Sequence, residues 1–248
     1  MRHNPVWRES LTVYFNEGHG FAVYFYILIM LAPVEFLSLY VPSLDAQQWS
    51  GSASLFKVST VTALLLLVYF ALRVANQEFA PWRFKPLKHW LREAGESAGA
   101  VSRGQLCFLM AHIGISLLLC LPLLIWAGAI ARTPPVSIGA TLLLLPFYAL
   151  TYGVWGLASQ ALWERRIESR QVFIRSFFVS LVILSALFYL PLNPVAFVLA
   201  LLSRQELAPL ALFGWLWSGT AVHLTFHLLL GGVGYAAYRW ALVRERLF

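Results

Sequence analysis

Apolar residues gather in long blocks along this chain, separated by short stretches that hold most of the charge. Six blocks approach the roughly 20 residues that a helix needs to cross a bilayer. They run from about Gly20 to Tyr40, Ser54 to Ala75, Gln105 to Ile130, Ile138 to Leu162, Val172 to Leu190 and Trp217 to Leu242. Before the first block, Val6 or Trp7, Leu11, Tyr14 and Phe15 recur at helical spacing, which predicts a short amphipathic helix lying on the membrane surface. Met1 to Glu17 has neither the apolar core nor the small-residue cleavage site of a signal peptide.

Two stretches depart from plain block and loop. Between the fifth and sixth blocks, Pro191-Leu-Asn-Pro194 interrupts the helix and favours a turn at Pro191, Asn193 and Pro194. The apolar pieces after it, Val195 to Leu202 and Leu210 to Leu216, are too short to span, so they are expected to be re-entrant or to lie at the outer surface. Between the second and third blocks, Leu87, Trp90 and Leu91 fall on one helical face, and Lys88, His89, Arg92 and Glu93 fill the other. Pro86 suits the first turn of this short helix and Gly95 its end. A plain connection needs only a handful of residues. A structured polar hairpin here therefore invites a docking partner, or else lies on the lipid headgroups.

Composition agrees with the pattern. The 248 residues are 60% hydrophobic and 12% charged, against roughly 25% charged in soluble domains. No internal repeat or low-complexity linker divides the chain, so residues 1–248 read as one membrane domain. The net charge of +7 does not call for nucleic acid, because Lys and Arg collect in the cytoplasmic loops of membrane proteins. All of them except Lys57, Arg132 and Arg204 fall on one side: the N-terminal segment, the loops after the second and fourth blocks, and the tail. That places both termini in the cytoplasm. Cys107 and Cys120 share one block and read as small apolar residues rather than a disulfide or a metal site.

Candidate chemistry is sparse. Phosphate-loop, Cys-x-x-Cys, His-Glu-x-x-His and Gly-x-Ser-x-Gly patterns are all missing. His223 and His227 share a face of the last block, and His112 lies on the third. They are metal candidates only if further ligands converge; otherwise the imidazoles hydrogen-bond neighbouring helices or water. Glu35 lies in the outer half of the first block, where a carboxylate is costly and must face a cavity, a partner helix or the interface. Gly231-Gly232-x-Gly234 allows another helix to approach closely.

The whole pattern resembles the membrane subunits of type-2 ABC exporters. The opening Asn4-Pro5-Val6-Trp7-Arg8-Glu9 is similar to the Asn-Pro starts of that family. Leu87-Lys-His-Trp-Leu91, with Glu96-Ser97 and Arg103-Gly104-Gln105, is similar to its coupling-helix run, with Glu96 and Gln105 replacing the family's Pro and Lys. Leu192-Asn193-Pro194 matches a Leu-Asn-Pro found after its fifth span. The resemblance implies an all-α polytopic protein of six transmembrane helices in a bacterial inner membrane. It also implies an N-terminal interfacial helix, a cytoplasmic coupling helix at Leu87, Lys88, His89, Trp90, Leu91 and Arg92, and a re-entrant outer segment. It implies a separate cytoplasmic ATPase partner that holds ATP and Mg, a second permease subunit (identical or different), and no catalysis, cofactor or metal in this chain. Glu35 would lie on the substrate path. Two other readings stay open: an intramembrane enzyme or metal-handling protein using His112, His223 and His227, and an assembly subunit of a larger membrane complex.

Overall fold

A computed structural model describes residues 4–40, 51–212 and 214–247. Met1 to His3, part of the polar lead-in, lie outside them. The chain is almost entirely helical. α1 (Pro5–Leu11) runs into a π-helical turn at Thr12–Asn16 and is followed by α2 (His19–Tyr40), α3 (Gly51–Ala75), α4 (Ala98–Ile130), α5 (Pro135–Leu162) and α6 (Ile167–Phe188). A short turn at Leu190–Leu192 then leads to α7 (Pro194–Ser203), two three-residue strands, β1 (Leu210–Leu212) and β2 (Trp215–Trp217), and α8 (Gly219–Leu247).

Helices α2 to α6 are each long and apolar enough to cross a membrane. α8 has 29 residues but carries His223, His227 and a charged last stretch, and it stands apart from those five. Much of the apolar surface faces outward: Phe21 is 74% exposed, Leu143 75%, and Leu187 74%. A soluble monomer does not present that much contiguous apolar area to water. The chain is an integral membrane protein.

Within lipid, helices gain little from apolar burial alone, so close backbone approach matters. The most extensive pairing is α3 with α5, which also packs on α8 and α4. Gly156 makes the α3–α5 approach possible: a Cβ there would stand 2.5 Å from the Leu72 carbonyl oxygen. The α8 glycines act less uniformly than their spacing suggests. A Cβ at Gly234 would meet the Trp155 indole at 2.8 Å, whereas Gly231 has room against Thr151 and Gly232 faces open space.

Packing adds detail to two expectations. The apolar face of α1 is turned onto protein rather than outward. Val6 and Tyr14 are buried, Trp7 packs edge-on to Phe108 of α4, and Tyr14 meets Phe84 and Phe108. Asn4 pins the contact, capping α1 through Val6 and Trp7 N–H and donating to the Ala100 carbonyl of α4 at 2.7 Å. Gly104 leaves the space, since a Cβ there would stand 2.7 Å from Asn4 Oδ1.

The segment between α6 and α8 is folded apart from α6. Tyr189 is extended and ends α6. Asn193 donates to the Val182 carbonyl, a turn and a half back along α6, and caps α7 through Val195 and Ala196 N–H. α7 then packs on α3 and α5. The β1–β2 hairpin, turning at Gly214 with φ +81°, is an element the apolar run did not announce.

Candidate functional site

The polar hairpin from Asn76 to Ser97 is bonded to helices from both ends of the sequence. Leu87 to Glu93 forms one short helix whose end widens into a π-helical turn at His89–Glu93. Gly95, at φ +68°, stops it in the left-handed conformation, and Ser97 caps α4 by accepting from Ala100 N–H at 3.0 Å.

The hairpin is tied to four other elements. Glu9 of α1 accepts from Lys85 N–H at 2.9 Å. Glu164, just beyond α5, accepts from Leu87 N–H. Arg92 donates twice to the Glu245 carbonyl of α8 and pairs with its carboxylate at 3.3 Å. Glu78 takes both a forked pair from Arg73 and Arg175 Nη2 of α6 at 3.1 Å. Burial raises the Glu164 carboxyl above its ordinary range, opposed by the bond from Leu87 N–H, and raises Glu9 in the same way.

This arrangement corrects the expected orientation of the short helix. Leu87, Trp90 and Leu91 are 2%, 7% and 3% exposed. They face the chain itself, so they are not free to fill a partner's groove. The physical reason is that α4 and α8 pack on this short helix, while Glu9 of α1 holds its start, so the apolar face that the sequence left unpartnered is covered within the chain. Lys88 and Arg92 are exposed, and His89 is half-buried and bonded to Glu93. Trp82, 76% exposed on the same hairpin, is the large apolar side chain that does reach outward. Glu9, Glu78, Glu164 and Glu245 had no distinguishing local signal at all.

The histidines form a closed polar cluster. Both imidazoles are fully buried. His223 Nδ1 lies 2.6 Å from the Pro191 carbonyl and His227 Nδ1 lies 3.0 Å from the His223 carbonyl. A carbonyl only accepts, so each Nδ1 carries the proton. In a neutral ring Nε2 is then an acceptor, and it receives the hydroxyl of Tyr148 at 2.5 Å and Tyr152 at 3.2 Å. Phe197 of α7 stacks on His223 at 3.9 Å. Pro191 thus serves as an acceptor for the cluster, and Asn193 and Pro194 form the turn and cap beside it. His112 is elsewhere, stacked on Tyr24 at 5.5 Å. Among the described residues, no three His, Cys, Asp or Glu side chains stand close enough to hold a metal ion.

Glu35 is fully buried in α2, two residues after Pro33. The Ser59 hydroxyl of α3 is its hydrogen-bonding neighbour, at loose geometry, and the Cys120 thiol of α4 lies near enough to feel its charge. Neither carboxylate oxygen reaches hydrogen-bond geometry with a partner, and neither do the hydroxyls of Ser59, Thr60 and Ser116. A second polar ladder was not foreseen: Tyr238 donates to Gln105, which donates to Gln160 at 3.1 Å, joining α8, α4 and α5. Against protein-family models, curated proteins and solved structures, the chain finds no match.

Proposed function

We propose that this chain is the permease subunit of an ATP-driven transporter of the type-2 ABC exporter class, as its sequence pattern suggests. The observation that carries the reading is the hairpin between α3 and α4. It is bonded at once to α1, to the end of α5, to α6 and to the end of α8, so a force on it reaches most of the helix ends. In this reading α8 is a sixth span, both termini are cytoplasmic, and the membrane is a bacterial inner membrane. α7 and the β1–β2 hairpin form a re-entrant outer segment. A second permease subunit completes the path. ATP and Mg²⁺ belong to a separate ATPase, whose closure moves the hairpin.

The exposed face of the hairpin meets that ATPase: Trp82 as anchor, with Lys88 and Arg92 at the rim. Truncating a buried aromatic anchor often costs about 2 kcal/mol, roughly a 30-fold loss at about 1.4 kcal/mol per tenfold. Trp82→Ala is therefore expected to weaken ATPase copurification from mild detergent by about 30-fold, and Lys88→Ala by much less. Trp90→Ala acts differently, by loosening the hairpin from α1, and lowers coupled transport more than association. If no phosphate-loop ATPase copurifies with the wild-type chain, or if Trp82→Ala keeps normal association and transport, the reading is wrong.

A further inference from the structure

At the hairpin end of the bundle, a cavity of about 670 Å³ lies between the end of α5, the start of α6 and the end of α8. Its charged lining is unequal in commitment. Glu245 is already paired with Arg92, and Glu164 is half-buried and bonded to Leu87 N–H. Arg165 and Arg166 are exposed, and their side chains make no hydrogen bond or ion pair among the described residues. Arg244 lies over the Trp240 ring at 5.4 Å, which leaves its guanidinium edge free to donate. So the acids are used internally and the arginines are not.

A second observation points the same way. Arg166 is the N-cap of α6, and no side chain caps that helix. The first turn of a 22-residue helix thus starts at the edge of a basic cavity without a side-chain cap, with Glu168 as its own acidic side chain. An uncapped N-terminus favours an anion, and phosphate in particular. Part of the rim is apolar: Leu162 and Trp240 line the cavity and are 37% and 56% exposed, and Ile167, next in the chain to Arg166, is 45% exposed. A free phosphate would gain nothing from that rim, but the acyl chains of a lipid would.

We infer that this cavity binds the phosphate of an anionic membrane lipid, with Arg165, Arg166, Arg244 and the α6 amides holding the head and the apolar rim meeting the tails. Basic pockets at the ends of membrane helices suit such headgroups, each cation contributing modestly. The inference rests on the chain lying in a membrane and not on the transporter reading.

The test uses the purified full chain in neutral detergent, with phosphatidylglycerol and phosphatidylcholine of identical acyl chains as probes and native mass spectrometry as readout. Wild-type protein should retain phosphatidylglycerol in preference to phosphatidylcholine. Arg165→Gln/Arg166→Gln should weaken phosphatidylglycerol about tenfold and leave phosphatidylcholine unchanged, whereas Arg132→Gln/Arg204→Gln should change neither. Lysine at 165 and 166 should restore most of the preference. If the glutamine pair does not fold, judged by helical content and monodispersity, Arg244→Gln alone should lower the preference by a few-fold. Equal phosphatidylglycerol affinity in wild type and variants would overturn the inference. So would displacement of the lipid by inorganic phosphate or glycerol 3-phosphate at matching concentration, which marks a site for a soluble anion. Loss of ATPase copurification with lipid binding unchanged would assign the arginines to a protein interface and overturn it as well.

Discussion

His223 and His227 on α8 and Glu35 on α2 are all fully buried in an apolar bundle, yet they are supported in opposite ways. Each ring nitrogen of the histidine pair has a partner, drawn from α5, α8 and the turn before α7. Both oxygens of Glu35 lack one, and so do hydroxyls on the two helices beside it. A satisfied buried network rigidifies, whereas an unsatisfied group costs free energy. The histidines therefore read as a clasp that fixes the turn before α7 onto α5 and α8. Glu35 reads as a group kept at a cost, which in a membrane is a mark of function.

The sharpest test of this contrast is to remove the clasp. His223→Leu leaves the Tyr148 hydroxyl and the Pro191 carbonyl without partners, and it is expected to cost about 3 kcal/mol. This should appear as a lowered thermal midpoint in detergent with unchanged metal content by elemental analysis. A stoichiometric metal that disappears in this variant would make the pair a ligand site instead. Glu35→Leu should act with the opposite sign, holding or raising stability by about 1–2 kcal/mol, because it replaces an unpartnered acid with an apolar side chain. If it destabilises by a similar amount, Glu35 has a partner that the contrast overlooks. A raised thermal midpoint together with lost transport would locate Glu35 on the working path.

Smaller changes grade the clasp itself. Tyr148→Phe leaves the His223 Nε2 acceptor unpaired and should cost about 1–2 kcal/mol. Tyr152→Phe breaks the longer bond, at 3.2 Å, and should cost about 1 kcal/mol or less. Equal effects, or none, by the same thermal assay would mean that the phenols fill space and do not hold the rings in their tautomers.

The two sites were unequally legible. The i, i+4 spacing announced that His223 and His227 share a face, but their partners Tyr148 and Tyr152 lie 75 residues away and carry no local sign. Glu35 was visible as a carboxylate in an apolar block. Its missing partners were not, because that depends on what α3 and α4 bring against it. The hairpin shows the same division. Pro86, Gly95 and the apolar spacing gave the short helix its position and its end. The spacing gave an apolar face without saying what covers it, and the packing of α4 and α8 on the short helix left Leu87, Trp90 and Leu91 buried.

Sequence by itself determined the membrane class, the long helices to within several residues, the break at Pro191–Pro194 and the short helix between Pro86 and Gly95. In lipid, backbone groups must be satisfied within the segment, so long apolar blocks have little choice but helix. Prolines and capping side chains act on their own neighbours. Tertiary structure decided which face of α1 and of the hairpin is hidden, which acids tie the helix ends together, and which polar groups are left without partners. Those outcomes depend on close approach between segments distant in the chain, as at Gly104 against Asn4 and Gly156 against Leu72. No local pattern encodes which segments will meet.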